Sequence, residues 1–285
     1  MTEDEFIALL RPLAGDGARE LRDDAAVLTL PKNGDLVLTH DVIVEGVHFR
    51  SEDAAEDVAW KLVAVNLSDL AAKGATPLGV LLGYPLSDDG WDRGFAAGLV
   101  AVLGTFDCPL LGGDTVKAAG PRSLSLTAIG SADNAPSRSG ARPGDELWVT
   151  GTIGLAGQGL RGEGGAAARS AYLRPQPRLT EGRALAPLVT AMMDVSDGLL
   201  IDAQRMAAAS GVQIGLALDA VPVAGDAMAA VTAGDDYELL FTLSPGAPCP
   251  VAATRIGSVC AGQGLVLTSS GAPVPLPARL GYRHG

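Results

Sequence analysis

Aromatic side chains, basic charge, paired cysteines and long apolar runs are all scarce in this chain of 285 residues. Phe, Trp and Tyr make up 4% of the sequence, so the core must be built mainly from Leu, Val and Ala. Acidic residues outnumber basic ones by 33 to 21, and this excess disfavours nucleic acid as a partner, because binding a polyanion requires a basic patch. The three cysteines lack CxxC spacing and therefore predict neither a disulfide framework nor a zinc site.

The chain also lacks the signals that direct a protein into a membrane or out of the cell. No window approaches the roughly 18 uninterrupted apolar residues of a membrane-spanning helix. The first ten residues are acidic and do not show the basic start and apolar centre of a signal peptide. We therefore expect a cytoplasmic protein with no membrane partner.

Several common catalytic motifs are missing as well. The sequence has no GxxxxGK[ST] phosphate-binding loop and no GxSxG turn around a nucleophilic serine. One GxGxxG occurs at Gly157, Gly159 and Gly162, but the acidic residue that a dinucleotide site needs about 20 residues later falls on Glu181, in a helical stretch. This motif is interpreted as an ordinary glycine-rich loop.

Hydrophobic periodicity predicts two series of helices and strands. The first series has helices at 3–10, 54–73 and 91–106, with strands at 25–30, 36–44, 78–86 and 123–130. The polar segment ADNAPSRSGARPG, residues 132–144, then predicts a boundary between domains 1–132 and 133–285. A second series begins with a strand at 146–150, and its clearer elements lie at 185–189, 199–210, 212–218 and 239–243. The pattern indicates two α/β halves of similar size.

Acidic residues recur at the ends of apolar segments. Taken singly, each has an ordinary explanation as a turn, a strand end or, for Asp197, the N-cap of the next helix. The set consists of Asp23-Asp24, Asp41, Asp69, Asp114, Asp194, Asp197 and Asp235-Asp236.

In the helix at 54–73, the ordinary explanation would leave a buried acidic residue at a cost in free energy. Asn66 and Asp69 are three residues apart and share one side of a mostly apolar helix, and a buried carboxylate costs several kcal/mol unless it is paired or bound to a metal. Lys73 is the alternative partner within the helix. Several converging carboxylates would repel one another unless divalent cations joined them, and oxygen ligands favour Mg²⁺.

Seven motifs, in this order, resemble those of the thiamine-monophosphate kinase family, within the superfamily of aminoimidazole ribonucleotide synthetase. They are RDDAAVL, THDVIVEGVHF, WKLVAVNLSDLAAKGA, LLGGDT, RSGARPGDELWVTG, DVSDGL and GDDYELLF, and the similarity extends over about residues 23–282.

The resemblance implies an α+β/α/β fold of two domains. Residues 1–132 would bind ATP and Mg²⁺ and pair their sheets in a homodimer, and the C-terminal α/β domain at 133–285 would complete the active site. The implied activity is ATP-dependent phosphorylation of thiamine monophosphate to thiamine diphosphate. The acceptor phosphate is already an anion at neutral pH, so no catalytic residue beyond metal and phosphate positioning is implied.

The resemblance also assigns roles to individual residues. The metal positions are Asp24, Thr39, His40, Asp41, Asp69, Asp114, Asp194 and Asp197. The nucleotide positions are Gly113, Asp114, Arg138 and Ser196, and the substrate positions are His48, Asp235 and Tyr282. The chain departs from the family at Arg22 in place of Gly, His40 in place of Thr or Ser, and Asp235 in place of Glu.

Other interpretations stay open. Arg138, His48 and Tyr282 have ordinary alternatives as a linker arginine, a structural histidine and a packing residue. The chain is also compatible with another ATP-dependent enzyme of the superfamily, although the selenium enzyme would carry a reactive Cys before Cys108, and the hydrogenase-maturation enzyme would end in one. A module that binds Mg-nucleotide without turnover is a further alternative, and a purely structural protein is the least favoured.

Overall fold

The computed structural model describes residues 1–22, 25–29 and 34–283, and these residues form two compact units. The first unit comprises Met1–Leu70 and Thr76–Asp133, and the second comprises Ala71–Ala75 and the chain from Asn134 onwards. Each unit has its own sheet. None of the helices in the described ranges has the length and apolar character needed to cross a bilayer.

The first unit is a four-stranded sheet with three α-helices. Its strands lie in the order β1-β4-β2-β3, and only β2 and β3 run parallel. The strands are β1 (Asp35–Val44), β2 (Thr76–Leu86), β3 (Leu110–Lys117) and β4 (Ser123–Ala132), and the helices are α1 (Glu3–Leu10), α2 (Ala55–Ala71) and α3 (Asp89–Thr105).

Local sequence explains how these helices begin. The Thr2 hydroxyl accepts a hydrogen bond from the amide of Glu5, and the Glu5 carboxylate accepts one from the amide of Thr2, which forms the capping box of α1. Phe6 of α1 is fully buried and stacks on Tyr84 of β2, with ring centroids 4.4 Å apart. Asp88 caps α3 by accepting the amide hydrogen of Trp91. The caps of α1 and α3 and the burial of Phe6 thus agree with the helices predicted from hydrophobic periodicity.

The second unit contains a mixed sheet of seven strands in the order β11-β10-β7-β9-β5-β8-β6, in which only β7 and β10 pair in parallel. The strands are β5 (Glu146–Thr150), β6 (Ala191–Val195), β7 (Gln213–Ala217), β8 (Glu238–Leu243), β9 (Ala253–Cys260), β10 (Gly264–Ser269) and β11 (Ala272–Val274). The helices are α4 (Leu155–Arg161), α5 (Gly165–Leu173), α6 (Leu179–Leu185), α7 (Leu199–Ser210) and α8 (Ala227–Thr232).

The predicted elements at 3–10, 146–150 and 199–210 are confirmed to the residue. Two others are wrong. Residues 25–29 of the predicted strand 25–30 have no regular structure, and the element predicted at 185–189 is the end of α6 followed by a turn. A short apolar run is a weak signal in both places, because neither the helical nor the strand period is sustained.

The interpretation of GxGxxG as a loop is also wrong. Gly157 and Gly159 lie inside α4, and Gly162 ends that helix with φ +75°. A Cβ atom on Gly159 would collide with the carbonyl of Ala168 in α5. The first two glycines thus sit in a helix, and Gly159 permits the close packing of α4 against α5.

Candidate functional site

In the first unit, polar residues of the motifs THDVIVEGVHF and WKLVAVNLSDLAAKGA connect β1 to α2. The Thr39 hydroxyl donates a hydrogen bond to Asp69 Oδ2. Fully buried Asn66 accepts the Asp41 amide hydrogen at 3.1 Å and donates through its Nδ2 to the Leu62 carbonyl at 2.9 Å. The spacing of three residues in the helix therefore places Asn66 and Asp69 against alternate residues of the strand.

Asp41 is in an unfavourable place for a charge. Burial, and then the neighbouring charge of Asp69, raise the pKa of Asp41 from 3.8 to about 6. A divalent cation would offset both effects, and two carboxylates beside a hydroxyl are the oxygen ligands that Mg²⁺ prefers. The donor set Thr39, Asp41 and Asp69 therefore fits Mg²⁺ chemically.

The other face of the same sheet forms one side of a groove of about 930 Å³. His40 alternates with Thr39 and Asp41 along β1 and lines this groove, where its Nδ1 is 2.9 Å from the Thr127 hydroxyl. Gly113 and Asp114 line it as well. A Cβ atom on Gly113 would collide with a backbone carbonyl of β2, so glycine is required at this position. The structure thus brings His40, Gly113 and Asp114 to one groove.

His48 lies in the turn after β1. Its Nδ1 accepts the Val44 amide hydrogen at 3.0 Å, and its carbonyl accepts a hydrogen bond from Lys61 Nζ at 3.0 Å. Both contacts stabilise the turn. Asp24 lies outside the described residues.

In the second unit, the segment DVSDGL forms the end of β6 and the turn into α7. Buried Asp194 lies on β6. The Ser196 carbonyl accepts the Asp235 amide hydrogen at 2.8 Å, and the Asp197 carbonyl accepts the Tyr282 amide hydrogen at 2.9 Å. Backbone contacts thus connect predicted metal, nucleotide and substrate positions that are up to 85 residues apart.

Asp197 does not cap α7, so the ordinary explanation offered for it is wrong. The N-cap is Gly198, with φ +125° and no side-chain cap. The fully buried Asp202 reaches back instead, and its Oδ2 accepts the amide hydrogens of Ser196 at 3.2 Å and Asp197 at 3.1 Å. Burial raises the pKa of Asp202 to about 6, and its hydrogen bond and ion pair with Arg205 oppose that rise.

The sequence interpretation did not single out Asp202 or Arg205. Arg205 Nη1 donates to Asp197 Oδ2 at 2.5 Å and to Asp202 Oδ1 at 2.7 Å. The sequence does contain a signal for this pair, because Asp202 and Arg205 are three residues apart in the helix that follows DVSDGL and therefore lie on one side of it.

The segment GDDYELLF has a strained backbone. Asp235 and Tyr237 have φ angles of +68° and +51°, and the Tyr237 hydroxyl is 3.2 Å from Asp235 Oδ1. Left-handed residues other than glycine cost free energy and concentrate at functional sites. Between them, Asp236 accepts the Gly154 amide hydrogen at 2.8 Å, and burial raises the pKa of Asp236 well above 3.8.

Arg138 has an exposed side chain, and its carbonyl accepts a hydrogen bond from the Ser210 hydroxyl at 3.2 Å. Across the described ranges, no three His, Cys, Asp or Glu side chains are arranged to hold a metal ion by themselves. A bound Mg²⁺ would therefore need further oxygen ligands, and in enzymes these commonly come from substrate phosphates.

Comparison with known proteins gives matches along nearly the whole chain. Residues 22–132 match the N-terminal domain, and residues 142–269 the C-terminal domain, of AIR synthase related protein. The thiamine-monophosphate kinase of Caulobacter vibrioides is 40% identical, with 100% of this chain and 91% of the relative covered.

Two solved structures are similar in fold and sequence. The thiamine-monophosphate kinase of Stenotrophomonas maltophilia superposes with a TM-score of 0.80 at 36% identity, over 95% of this chain and 96% of its own. AaThiL complexed with AMPPCP and TMP gives a TM-score of 0.80 at 30% identity, over 92% of this chain and 91% of its own.

Proposed function

Since the chain belongs to the AIR synthase related family, and within it to the thiamine-monophosphate kinases, we propose that it phosphorylates thiamine monophosphate with ATP to give thiamine diphosphate. Membership of this kinase family makes the chain an enzyme. The predicted two-domain fold is confirmed by the two family domains and by the similarity to the solved kinases.

One observation carries the proposal further than similarity alone. Ser196 and Asp197, assigned to nucleotide and metal, are hydrogen-bonded through the backbone to Asp235 and Tyr282, assigned to substrate. In a protein that shares only the fold, no function would require these assigned residues to meet beside a strained turn. The complex of AaThiL with AMPPCP and TMP supports an ATP-type donor and this acceptor.

We assign Mg²⁺ ligands in each unit by itself. Asp41, Asp69 and Thr39 would contribute from the first unit, and Asp194 and Asp197 from the second. The further positions from the resemblance are Asp24, His40 and Asp114. Bound there, Mg²⁺ would neutralise phosphate charge during in-line transfer.

The remaining residues orient the two substrates. We assign Gly113, Asp114, Arg138 and Ser196 to the nucleotide, and His48, Asp235 and Tyr282 to thiamine monophosphate. Gly113 has no side chain to block a close approach of ligand to backbone. A phosphate monoester has a second pKa of about 6, so the acceptor is already an anion at neutral pH and needs no side chain to remove a proton.

We also propose a homodimer formed through the sheet of the first unit. Leu36, Leu38 and Val42 occupy alternate positions of the edge strand β1, and they are 42%, 61% and 46% exposed. They share the face that carries His40. Regularly spaced apolar side chains on an exposed strand mark an interaction surface, and a second copy of the chain would cover it.

The test is a coupled assay of ADP release. Thiamine monophosphate should support turnover, whereas free thiamine, selenide, carbamoyl phosphate and an aminoimidazole precursor should not. Excess EDTA should stop the reaction, and unchanged turnover in EDTA would disprove the metal role. Nucleotide binding without turnover on any acceptor would instead support a non-catalytic binding module.

A further inference from the structure

We propose that Asp202 and Arg205 are positioning residues that hold the Asp197 carboxylate ready to bind a divalent cation. The proposal rests on the metal role of Asp197 in the proposed function. It adds two residues of α7 that the resemblance does not assign.

Three groups of Asp197, namely its amide, its carbonyl and its carboxylate, are held by hydrogen bonds. Its amide donates to Asp202 Oδ2 at 3.1 Å, and its carbonyl accepts the Tyr282 amide hydrogen at 2.9 Å. Its carboxylate accepts a hydrogen bond from Arg205 at 2.5 Å through Oδ2. Amide, carbonyl and carboxylate are thus each held by a different residue, which leaves the side chain little freedom to turn away.

The arrangement leaves one oxygen of Asp197 open. All described hydrogen bonds of this carboxylate use Oδ2, and Oδ1 accepts none from any residue in the described ranges. A carboxylate with one oxygen fixed by arginine can present the other oxygen to a cation without first losing side-chain entropy.

Asp202 is too deeply buried to be a surface charge. Its side chain is 0% exposed, and a buried carboxylate is stable only when hydrogen bonds and an opposite charge compensate for lost water. The two amides of the Ser196–Asp197 turn and the Arg205 guanidinium supply that compensation. Asp202 therefore holds the backbone of the Ser196–Asp197 turn, and Arg205 holds the Asp197 carboxylate.

Arg205 also brings a positive charge close to the proposed cation, and this charge alone would weaken binding. Repulsion and positioning therefore make opposite predictions for removal of the arginine. If positioning dominates, removing Arg205 weakens cation binding; if repulsion dominates, removal strengthens it. The comparison of variants can thus decide between the two effects.

The experiment measures Mn²⁺ affinity by the EPR signal of the free ion, in the presence of ADP. Arg205→Met should weaken the affinity about tenfold or more, and Arg205→Lys should recover part of it, because lysine keeps the charge and an N–H donor but lacks the rigid guanidinium that places Nη1 between the two carboxylates. Arg161→Met is the matched control, since Arg161 pairs at 2.9 Å with Glu163 on the surface of the same unit. This control should bind Mn²⁺ like the wild type.

Two further measurements separate positioning from simple stability. The same series in an Asp41→Asn background removes one of the proposed cation ligands of the first unit, so that the remaining binding reports more on the second. Thermal unfolding with and without Mn²⁺ and ADP should show a smaller stabilisation by the cation in Arg205→Met. A merely structural role would lower both melting temperatures equally.

Unchanged or tighter Mn²⁺ binding by Arg205→Met would overturn the proposal. Asp202→Asn gives a second test where it folds, and should also weaken binding, because the amide group of asparagine does not carry the charge that holds Arg205. A wild type that binds no Mn²⁺ with ADP would refute the metal role itself, and this proposal with it. Wild-type binding with no effect of Arg205→Met would refute only the positioning role.

Discussion

At the scale of single residues, Asp41 shows how a candidate site residue can lower the stability of the folded protein. Its carboxyl is partly buried beside Asp69, and the two charges repel each other. The pKa of folded Asp41, about 6, lies above the ordinary value of 3.8. The stability associated with the neutral carboxyl is therefore present at low pH and is lost as the pH rises through 6.

Asp41→Asn should consequently be more stable than the wild type in EDTA above pH 6, by about 1–2 kcal/mol after allowance for solvent screening. The advantage should shrink as the pH falls toward 4, where the wild-type carboxyl is also neutral. Thermal unfolding at pH 5 and 8 would measure this, with Asp35→Asn, an exposed change at the start of β1, as the control. A gap that widens toward low pH would contradict the assignment.

The same variant should be nearly inactive, because loss of one of the proposed metal ligands removes several kcal/mol of charge stabilisation, or about 100-fold or more in kcat. Asp114→Asn should also lose activity. Asp114 is exposed in the groove, so this second variant should melt close to the wild type. If both variants lose activity and only Asp41→Asn gains stability, the loss of activity reflects the proposed metal role, and the gain in stability reflects the burial of Asp41.

At the scale of elements, glycine has opposite effects in two helices. Gly159 of α4 packs against the backbone of α5, whereas a Cβ atom on Gly104 of α3 would meet nothing within 4 Å. Gly159→Ala should lower the free energy of unfolding by about 1–3 kcal/mol through overpacking. Gly104→Ala should raise it by about 0.5–1 kcal/mol through helix propensity. Urea unfolding of both variants tests the pair, and equal effects would disprove the packing argument.

These glycines also show where sequence interpretation reaches its limit. The helix at 199–210 was predictable because its apolar residues repeat at the helical period and Gly211 ends it with φ +67°. The helix α4 lacks that period, and its glycines have the composition of a loop. It is helical because α5 packs against it, and such a tertiary contact leaves no local signal.

The same distinction holds for the site. Asp194 and Asp197 could be selected as candidates because acids beside apolar segments need a reason to be there. The contact of the adjoining Ser196 with Asp235 could not be read from the sequence, because it depends on the pairing of β6 with β8 and on the strained turn before β8. Asp202 was overlooked because acids within a helix are usually solvated, and its burial is a property of the fold.

At the scale of the whole molecule, the acidic balance of the chain and the apolar face of β1 act together. A formal net charge of −12 opposes self-association at long range, so a dimer requires a compensating apolar contact. The exposed side chains at alternate positions of β1 supply such a contact, and their spacing of two residues keeps them on one face. Salt, which screens the repulsion, should strengthen the proposed dimer.

Leu38 is the most exposed of these side chains, at 61%. Leu38→Asp should weaken the proposed dimer about 30-fold or more, equivalent to ~2 kcal/mol, because it places a charge in the apolar face and adds to the net repulsion. Light scattering after size-exclusion chromatography would report the shift to monomer. Leu160→Asp is the matched control, since Leu160 is 42% exposed on α4 and should leave the assembly unchanged. A Leu38→Asp protein that stays dimeric would move the interface away from β1, because an aspartate cannot be buried between two copies of an acidic chain without a counter-charge.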